Sequence, residues 1–199
     1  MFIRVNSWLK LIMIENKNNV IEIREATEAD IPDIAKIHVA GWHGAYGGIV
    51  DQGYLDGFTV EMRIPKWEEN FAAGEGRTLL AYIDGVAVGF VSYGALRTPP
   101  PGMSKIRPLY SGEIYALYLE PEYFRQGIGT ALIQKAIEKL QEQKHQSMCL
   151  WVLDKNKRGC GFYEAIGGKR VGKMMVEIGP NKLKEVCYGW RDLSLITEG

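Results

Sequence analysis

The sequence predicts one α/β domain, and three observations support this class. The chain has 199 residues, enough for one domain with a real core, and 46% of them are hydrophobic. Segments with strand and helix patterns follow one another in the order β-α-α-β-β-β-α-β-α-β-β. Residues 113–132 read as a strand, a proline turn, a glycine-bearing loop and the start of a helix. We expect the domain over residues 20–194, an N-terminal extension over 1–19 and a tail over 195–199.

The first half of the domain carries clear start signals. Alternation predicts a strand over Val20–Ala26, and the segment from Thr27 to Asp30 then resembles a capping box at the start of a helix. That helix should run from Ile31 to about His43, and a second helix should cover Thr59–Phe71. The two helices thus follow the first strand directly.

A hairpin comes next. Asp84-Gly85 favours a two-residue turn between strands over Thr78–Ile83 and Val86–Tyr93. The proline-rich segment Arg97–Arg107 is expected to be an irregular surface loop.

The second half of the domain opens with a strand over Glu113–Leu119, whose alternation should place Tyr115 and Tyr118 on opposite faces. The glycine loop and its helix follow. The remaining elements are a strand, a short helix and a two-stranded hairpin, predicted over Gln146–Leu153, Asn156–Ile166, Lys169–Ile178 and Lys184–Leu193.

Composition excludes several functional classes. Lys+Arg and Asp+Glu both number 24, a balance that argues against nonspecific nucleic-acid binding. The three cysteines form no C-x-x-C pair, which suggests reduced thiols in a cytoplasmic setting, and we see no metal-ligand spacing. The mildly apolar N-terminal segment is too short to span a bilayer, and we expect it to be a short amphipathic helix or a flexible extension.

The glycine loop has the chemistry of a pyrophosphate cradle. Gly127 and Gly129 lie where a helix begins, so phosphate oxygens can approach main-chain N–H groups that have no partner within the helix. Arg125 adds a positive charge. The spacing matches neither a Walker loop nor the G-x-G-x-x-G dinucleotide fingerprint. The alternative is that both glycines serve packing alone.

The loop resembles the acyl-CoA loop of the GNAT superfamily of N-acetyltransferases, R/Q-x-x-G-x-G/A after a strand that ends in a hydrophobic-acidic-Pro step. That step is Leu119-Glu120-Pro121 here, and Phe124 departs from the pattern at its first position. The resemblance implies a mixed, mostly antiparallel sheet of about seven strands splayed in the middle, with about four helices. It also implies acetyl-CoA as co-substrate, with no metal. The loop residues expected to bind it are Arg125, Gln126, Gly127, Ile128, Gly129 and Thr130.

The strand before the loop should bind the pantetheine arm in the splayed gap. The resemblance assigns this role to the main chain of Leu117, Tyr118 and Leu119, with the N–H of Leu117 as oxyanion donor. Residues 154–168 resemble the family's second signature, in which Asn156 bonds the pantetheine arm and Tyr163 protonates the leaving sulfur. The alternative for Tyr163 is a core aromatic.

Two further roles are expected. Glu113 stands where protein-acetylating members of the superfamily often carry a glutamate base, although a solvent-facing glutamate at the start of a strand is the equal alternative. Trp42 and Tyr46 lie on a helical stripe that resembles a bacterial GNAT subgroup and are expected to bind the acceptor, with simple packing as the alternative.

The resemblance therefore implies an acetyl-CoA-dependent N-acetyltransferase that acts on a primary amine, a small molecule or a peptide N-terminus, by direct transfer in a ternary complex. Aromatic walls without surplus acidic residues suit a modest amine better than a polycation. The alternatives are a non-catalytic acyl-CoA sensor and a transferase of longer acyl groups. The apolar last hairpin also allows a homodimer, and neither nucleic acid nor membrane is expected as a partner.

Overall fold

The computed structural model describes residues 12–16, 19–101 and 109–196, with main chain alone at 12–16 and 19. This part of the chain contains eight strands: β1 (Ile12–Asn16), β2 (Asn19–Glu25), β3 (Arg77–Ile83), β4 (Val86–Ala95), β5 (Gly112–Leu119), β6 (Met148–Leu153), β7 (Lys169–Ile178) and β8 (Asn181–Trp190). It contains five α-helices: α1 (Ile31–Tyr46), α2 (Gln52–Asp56), α3 (Val60–Ala73), α4 (Ile128–Glu142) and α5 (Lys157–Ala165). Over the same residues, no helix is long and apolar enough to cross a membrane.

The strands form one sheet in the order β1-β2-β3-β4-β5-β6-β8-β7. Every neighbouring pair is antiparallel except β5 and β6, which run parallel. The predicted fold class is confirmed: β2 to β8 are the seven expected strands, and four of the helices are nine residues or longer. β1 adds an eighth strand at the edge.

Helices cover both faces of the sheet. The amphipathic helix α4 packs residues such as Leu132 and Ile137 against one face, in a core that includes Leu79 and Val91. Helices α1 and α3 cover the other face, where Trp67 is buried together with residues of β3 and β4. Complete burial of one Leu or Ile side chain stabilises a fold by about 1.5–3 kcal/mol.

The sheet opens between β5 and β6. Only three residue pairs join these strands, Gly112 with Met148, Glu113 with Cys149 and Ile114 with Leu150. Beyond Ile114 the two strands separate. The register of β5 against β4 shifts at the same point, so that Tyr115 is an extra residue in a β-bulge. The predicted splay is therefore present, at the end of β5 that precedes the glycine loop.

Two details differ from the sequence prediction. Helix α2 was not predicted, because its five residues include Gly53 and its main start signal is the Asp51 side chain, which accepts a hydrogen bond from the N–H of Tyr54 at 3.0 Å. Ile12–Asn16 forms a strand instead of a helix or a flexible extension, since it pairs with β2. Within the expected loop over residues 97–107, residues 102–107 lie outside the described part of the chain.

Candidate active site

The gap between β5 and β6 forms a cleft of about 520 Å³. Its walls are the separated ends of the two strands, its floor includes Tyr46 of α1, and the starts of α4 and α5 lie at its mouth. The predicted cofactor residues that line it are Leu117, Tyr118, Leu119, Arg125, Gly127, Gly129, Thr130 and Asn156. The cleft has the volume of a small-molecule site, for which the usual range is about 300–1,000 Å³.

The main chain of β5 offers hydrogen-bonding groups to this cleft at alternate residues. The N–H of Glu120 donates to the carbonyl of Val88 at 3.0 Å, so this facing pair is hydrogen-bonded. Because hydrogen-bonded and non-bonded pairs alternate along antiparallel strands, Tyr118 also bonds its partner on β4, whereas Leu117 and Leu119 direct their N–H and C=O groups into the gap. Leu117 and Leu119 thus have open main-chain groups, and their role toward pantetheine stays a prediction. For Tyr118 the main chain is occupied, and only its side chain reaches the cleft.

The glycine loop has the geometry of an anion site. Gly127 has φ +82°, a conformation that glycine adopts without strain, and no side chain caps the start of α4. The first N–H groups of α4 therefore lack partners within the helix. A Cβ atom at Gly129 would meet no protein atom closer than 3.6 Å, so protein packing does not require glycine there. Gly129 lines the cleft, so the space beside it is open to a ligand.

Two members of the predicted loop contribute differently from the rest. The side chain of Gln126 donates to the carbonyl of Glu122 at 3.0 Å and so braces the turn before the helix. The side chain of Ile128 is 1% exposed and belongs to the core beneath α4. Neither side chain lines the cleft. Ile128 can contribute only its N–H, in the first turn of the helix.

A second cation at the mouth of the cleft was missed in the sequence. The guanidinium of Arg158 lies 4.3 Å from the ring centroid of Phe124 and donates to the carbonyl of Gly44 at 2.9 Å. Phe124, the departure from the family pattern, therefore holds an arginine from α5 over the cleft by a cation–π contact. Lys157 lines the same mouth. The cluster of basic residues at 155–158 is the feature of the sequence that could have predicted this second cation.

Tyr163 lines the cleft and is almost fully buried. It is 9% exposed and packs against Phe162 and Tyr188, with ring centroids 5.3 and 5.9 Å away. Burial raises the pKa of its phenol, and Tyr46 and Cys160 add to the effect. The hydroxyl therefore stays protonated at neutral pH. It has no hydrogen-bond partner among the residues that the structure describes, so it is free to donate to a ligand in the cleft.

Asn156 combines two roles at the start of α5. Its Oδ1 accepts from the N–H of Gly159 at 2.9 Å, which makes it the N-cap of the helix. It also lines the cleft. Because Oδ1 is occupied, the amide Nδ2 is the donor that remains, and it already interacts with the hydroxyl of Tyr46. One of its two hydrogens is left to bond a ligand.

A second cavity of about 380 Å³ lies across β5 from the first, beneath α1 and α3. The two cavities share Tyr115, Ala116 and Tyr118. The bulge explains this arrangement: an extra residue at Tyr115 shifts the alternation, so that Tyr115 and Tyr118 both line the second cavity instead of facing apart as predicted. The site is thus a cofactor-sized cleft that meets a smaller pocket at three residues of β5.

The second cavity is aromatic, with one neutral histidine. His38 accepts at Nδ1 from the Nε1–H of Trp67 at 3.2 Å, so the imidazole carries its proton on Nε2. Burial and the nearby charge of Arg63 lower the pKa of His38 to about 3. This histidine is neutral at physiological pH and has no free basic nitrogen. It therefore lines the pocket and cannot act as a base.

The two predicted acceptor residues lie on different sides of the site. Trp42 lines the second cavity and stacks on Phe58, with centroids 4.3 Å apart and planes at 16°. Tyr46 lines the cleft, and its hydroxyl lies 3.4 Å from that of Tyr118. Burial raises the pKa of Tyr46. Trp42 therefore borders the second cavity, whereas Tyr46 borders the cleft next to Tyr118.

Glu113 is not brought to the site. It is 5% exposed and lines neither cavity. Its Oε2 accepts from the N–H groups of Arg97 and Thr98, each at 2.7 Å, and so fixes the segment that leaves β4. These contacts assign Glu113 a structural task and disfavour the expected role as base. The solvent-facing alternative is wrong as well, because the side chain is buried.

Comparison with known proteins agrees with this architecture. The sequence profile of the acetyltransferase (GNAT) family matches residues 46–168. The uncharacterized N-acetyltransferase YuaI of Bacillus subtilis strain 168 is 36% identical over 178 residues, which cover 89% of this chain and 96% of that protein. Among solved structures, PaiA N-acetyltransferase from Thermoplasma acidophilum in complex with coenzyme A has a TM-score of 0.61 at 22% identity, covering 83% of this chain and 97% of that one. The Salmonella typhimurium protein yncA with its cofactor acetyl-CoA has a TM-score of 0.58 at 18% identity, covering 87% and 94%.

Proposed function

The chain belongs to the GNAT family of acetyltransferases, and on that premise we propose that it transfers the acetyl group of acetyl-CoA directly to the nitrogen of a primary amine. The observation that carries the proposal is the meeting of the two cavities at Tyr115, Ala116 and Tyr118. A thioester in the cleft and an amine in the second cavity can approach each other there, without a covalent enzyme intermediate.

The residues of the cleft fit acetyl-CoA at each part of the molecule. The N-terminus of α4 suits the pyrophosphate, and Arg125, Lys157 and Arg158 supply positive charge at the mouth. The open main-chain groups of Leu117 and Leu119 suit the amides of the pantetheine arm, which would extend along β5 like an added strand. Asn156 can donate to the same arm through Nδ2.

The transfer step then assigns a task to three groups of the chain. The amine nitrogen forms a bond to the carbonyl carbon, and the N–H of Leu117 donates to the oxygen on which negative charge develops, an interaction worth about 3 kcal/mol of barrier. When the carbon–sulfur bond breaks, the electron pair stays on sulfur and Tyr163 supplies the proton. The attacking amine loses its proton to water in the second cavity, since Glu113 is occupied by Arg97 and Thr98.

Thiol release tests this proposal. Acetyl-CoA is incubated with the protein and a panel of primary amines, and free coenzyme A is measured with a thiol reagent. We expect release that depends on both the protein and an amine. Calorimetry with coenzyme A is run in parallel. Tight binding of coenzyme A without release for any amine would contradict the transferase and favour a non-catalytic acyl-CoA sensor.

A further inference from the structure

Arg63 enters the second cavity from α3 without a counterion. Its guanidinium lies 5.0 Å from the ring centroid of Phe58, and its Nε is buried without a hydrogen-bond partner. Within the described part of the chain, no carboxylate lies within ion-pair distance of it. By contrast Lys66, one turn further along α3, is exposed and pairs with Glu69 at 2.7 Å.

The groups around Arg63 are neutral. Burial lowers its pKa, while the nearby phenols of Tyr54 and Tyr118 act in the opposite direction. An arginine remains protonated in proteins, so the cavity holds a partly desolvated positive charge. Leaving such a charge without a partner is unfavourable. An anion placed beside Arg63 would remove this penalty.

Other charged groups reach the second cavity from β2, β3 and the loops around them. Glu25 pairs with Lys139 at 3.6 Å on the surface, and Arg97 lies 3.2 Å from the ring centroid of Tyr115. Glu75 and Arg77 are both exposed. Three arginines thus face two glutamates around the cavity, a balance that favours an anionic group in the ligand and opposes a polycation.

We propose that Arg63 binds a carboxylate of the acceptor, so that the substrate is a small amino acid-like compound with an amine, a carboxylate and an apolar or aromatic side group. This inference rests on the proposed transferase function. Arginine binds a carboxylate through two parallel hydrogen bonds, which fixes its orientation. The apolar group would pack against the aromatic wall, to which Trp42, Trp67 and Phe71 contribute.

The position of Arg63 also gives the carboxylate a function in orienting the amine. Arg63 lines the second cavity together with Tyr118, and Tyr118 is common to the two cavities. A substrate held at its carboxylate by Arg63 would direct its amine toward β5, where the thioester is expected. A simple amine without the carboxylate would fill the same cavity with no fixed orientation.

Matched pairs of substrates test the inference. L-phenylalanine, L-methionine and L-leucine are each compared with the amine that lacks the carboxylate: phenethylamine, 3-(methylthio)propylamine and isoamylamine. We expect kcat/KM for at least one amino acid to exceed that of its matched amine by roughly tenfold to a hundredfold, because a hydrogen bond to a charged group has about that effect. In Arg63→Met this preference should vanish through a rise in the KM of the amino acid, with the KM of acetyl-CoA unchanged.

Two further variants serve as controls. Lys66→Met removes the same charge from an exposed site on the same helix and should keep the preference. Arg63→Lys keeps the charge but lacks the two parallel donors of a guanidinium. It should therefore keep only part of the preference that Arg63→Met loses. Binding of each amino acid and amine is also followed in the presence of coenzyme A by tryptophan fluorescence, because Trp42 and Trp67 line the cavity.

The outcomes separate the two proposals. If amines are acetylated but no amino acid is preferred in rate or in binding, the carboxylate assignment is wrong and the transferase stands. If no amine is acetylated, yet an amino acid binds more tightly than its matched amine in an Arg63-dependent way, the transferase fails and the carboxylate site stands. Absence of both preference and turnover would overturn both.

Discussion

Tyr163 and Glu113 show how burial gives two polar side chains different functions. Both are almost fully buried, at 9% and 5% exposure. The phenol of Tyr163 faces a cleft and has no partner among the described residues, whereas the carboxylate of Glu113 accepts two main-chain hydrogen bonds. A group whose bonding capacity is satisfied by the fold stabilises it, and a group left open beside a cavity is available for chemistry.

Tyr163→Phe should separate catalysis from binding. The substitution removes one hydroxyl and keeps the ring contacts with Phe162 and Tyr188. We expect kcat to fall by roughly a hundredfold, the usual contribution of a general acid, while the KM of acetyl-CoA changes by less than about twofold. Thiol release at saturating acceptor measures kcat. An unchanged kcat would show that another group protonates the sulfur.

Glu113→Gln should lower the stability of the fold and leave catalysis nearly unchanged, the reverse of Tyr163→Phe. The amide keeps one acceptor oxygen for Arg97 and Thr98 but loses the negative charge, so we expect the free energy of unfolding to fall by about 1–2 kcal/mol. The kcat should remain within about threefold of the parent protein at a temperature where both are folded. A loss of roughly a hundredfold in kcat with unchanged stability would restore Glu113 as the base.

Among the strands and helices, β5 and the start of α4 do most to form the site. The bulge at Tyr115 moves the side chains after it to the opposite faces, and the end of pairing with β6 after Ile114 opens the cleft. The turn that follows β5 then leads into α4, whose uncapped N-terminus faces the cleft mouth. A single strand–turn–helix unit would therefore supply both the proposed pantetheine wall and the proposed phosphate site.

Gly129→Val should weaken coenzyme A binding without weakening the fold. Its Cβ would have only ordinary contacts with Phe162 and Leu119, and valine disfavours a helix less than glycine does. We expect unfolding free energy within about 0.5 kcal/mol of the parent, but at least a roughly tenfold loss of coenzyme A affinity from the bulk beside the first turn of α4. Calorimetry and denaturant unfolding give the two values.

The matched variant is Gly129→Ala, which adds one methyl group and should lose less coenzyme A affinity than Gly129→Val does. Equal affinity for the valine and parent proteins would mean that the phosphates do not approach Gly129. The cradle would then have to be placed elsewhere in the cleft.

The domain as a whole depends on polar contacts far from the cleft as well as on its two cores. Asp30, at the start of α1, accepts from Arg24 of β2 at 2.6 and 2.9 Å and from the N–H of Thr27 at 2.8 Å. The hydroxyl of Tyr82 on β3 lies 3.2 Å from the same carboxylate. One buried carboxylate thus connects the first helix to two strands. The capping box predicted from the sequence accounts for the contact with Thr27, but not for those with the strands.

This network predicts an acid-sensitive stability. The hydrogen bond from Arg24, followed by those from Thr27, lowers the pKa of Asp30 well below its ordinary value. Because the folded pKa lies below the unfolded value of about 3.9, the stabilisation is complete above that pH and is lost as the pH falls toward the folded pKa. We expect the free energy of unfolding to drop between pH 5 and pH 2, on the order of 2 kcal/mol from this group.

Asp30→Asn is the matching variant. It should be less stable than the parent at pH 7 and should show a smaller loss between pH 5 and pH 2, measured by urea unfolding at each pH. A variant with the parent's full acid-dependent loss would assign that loss to other carboxylates.

The sequence by itself determined the order of the strands and helices apart from β1 and α2, and it indicated the candidate phosphate loop at 125–130 and the acid candidate Tyr163. These depend on signals between residues close in the chain: alternation, turns, glycines at a helix start and motif spacing. Only the tertiary structure decided the bulge at Tyr115, the burial of Glu113 under residues 97 and 98, and the place of Arg63 beside His38 and Tyr118. Each of these joins residues from separate elements. Contacts between distant segments are set by how the sheet and helices pack, which no local pattern records.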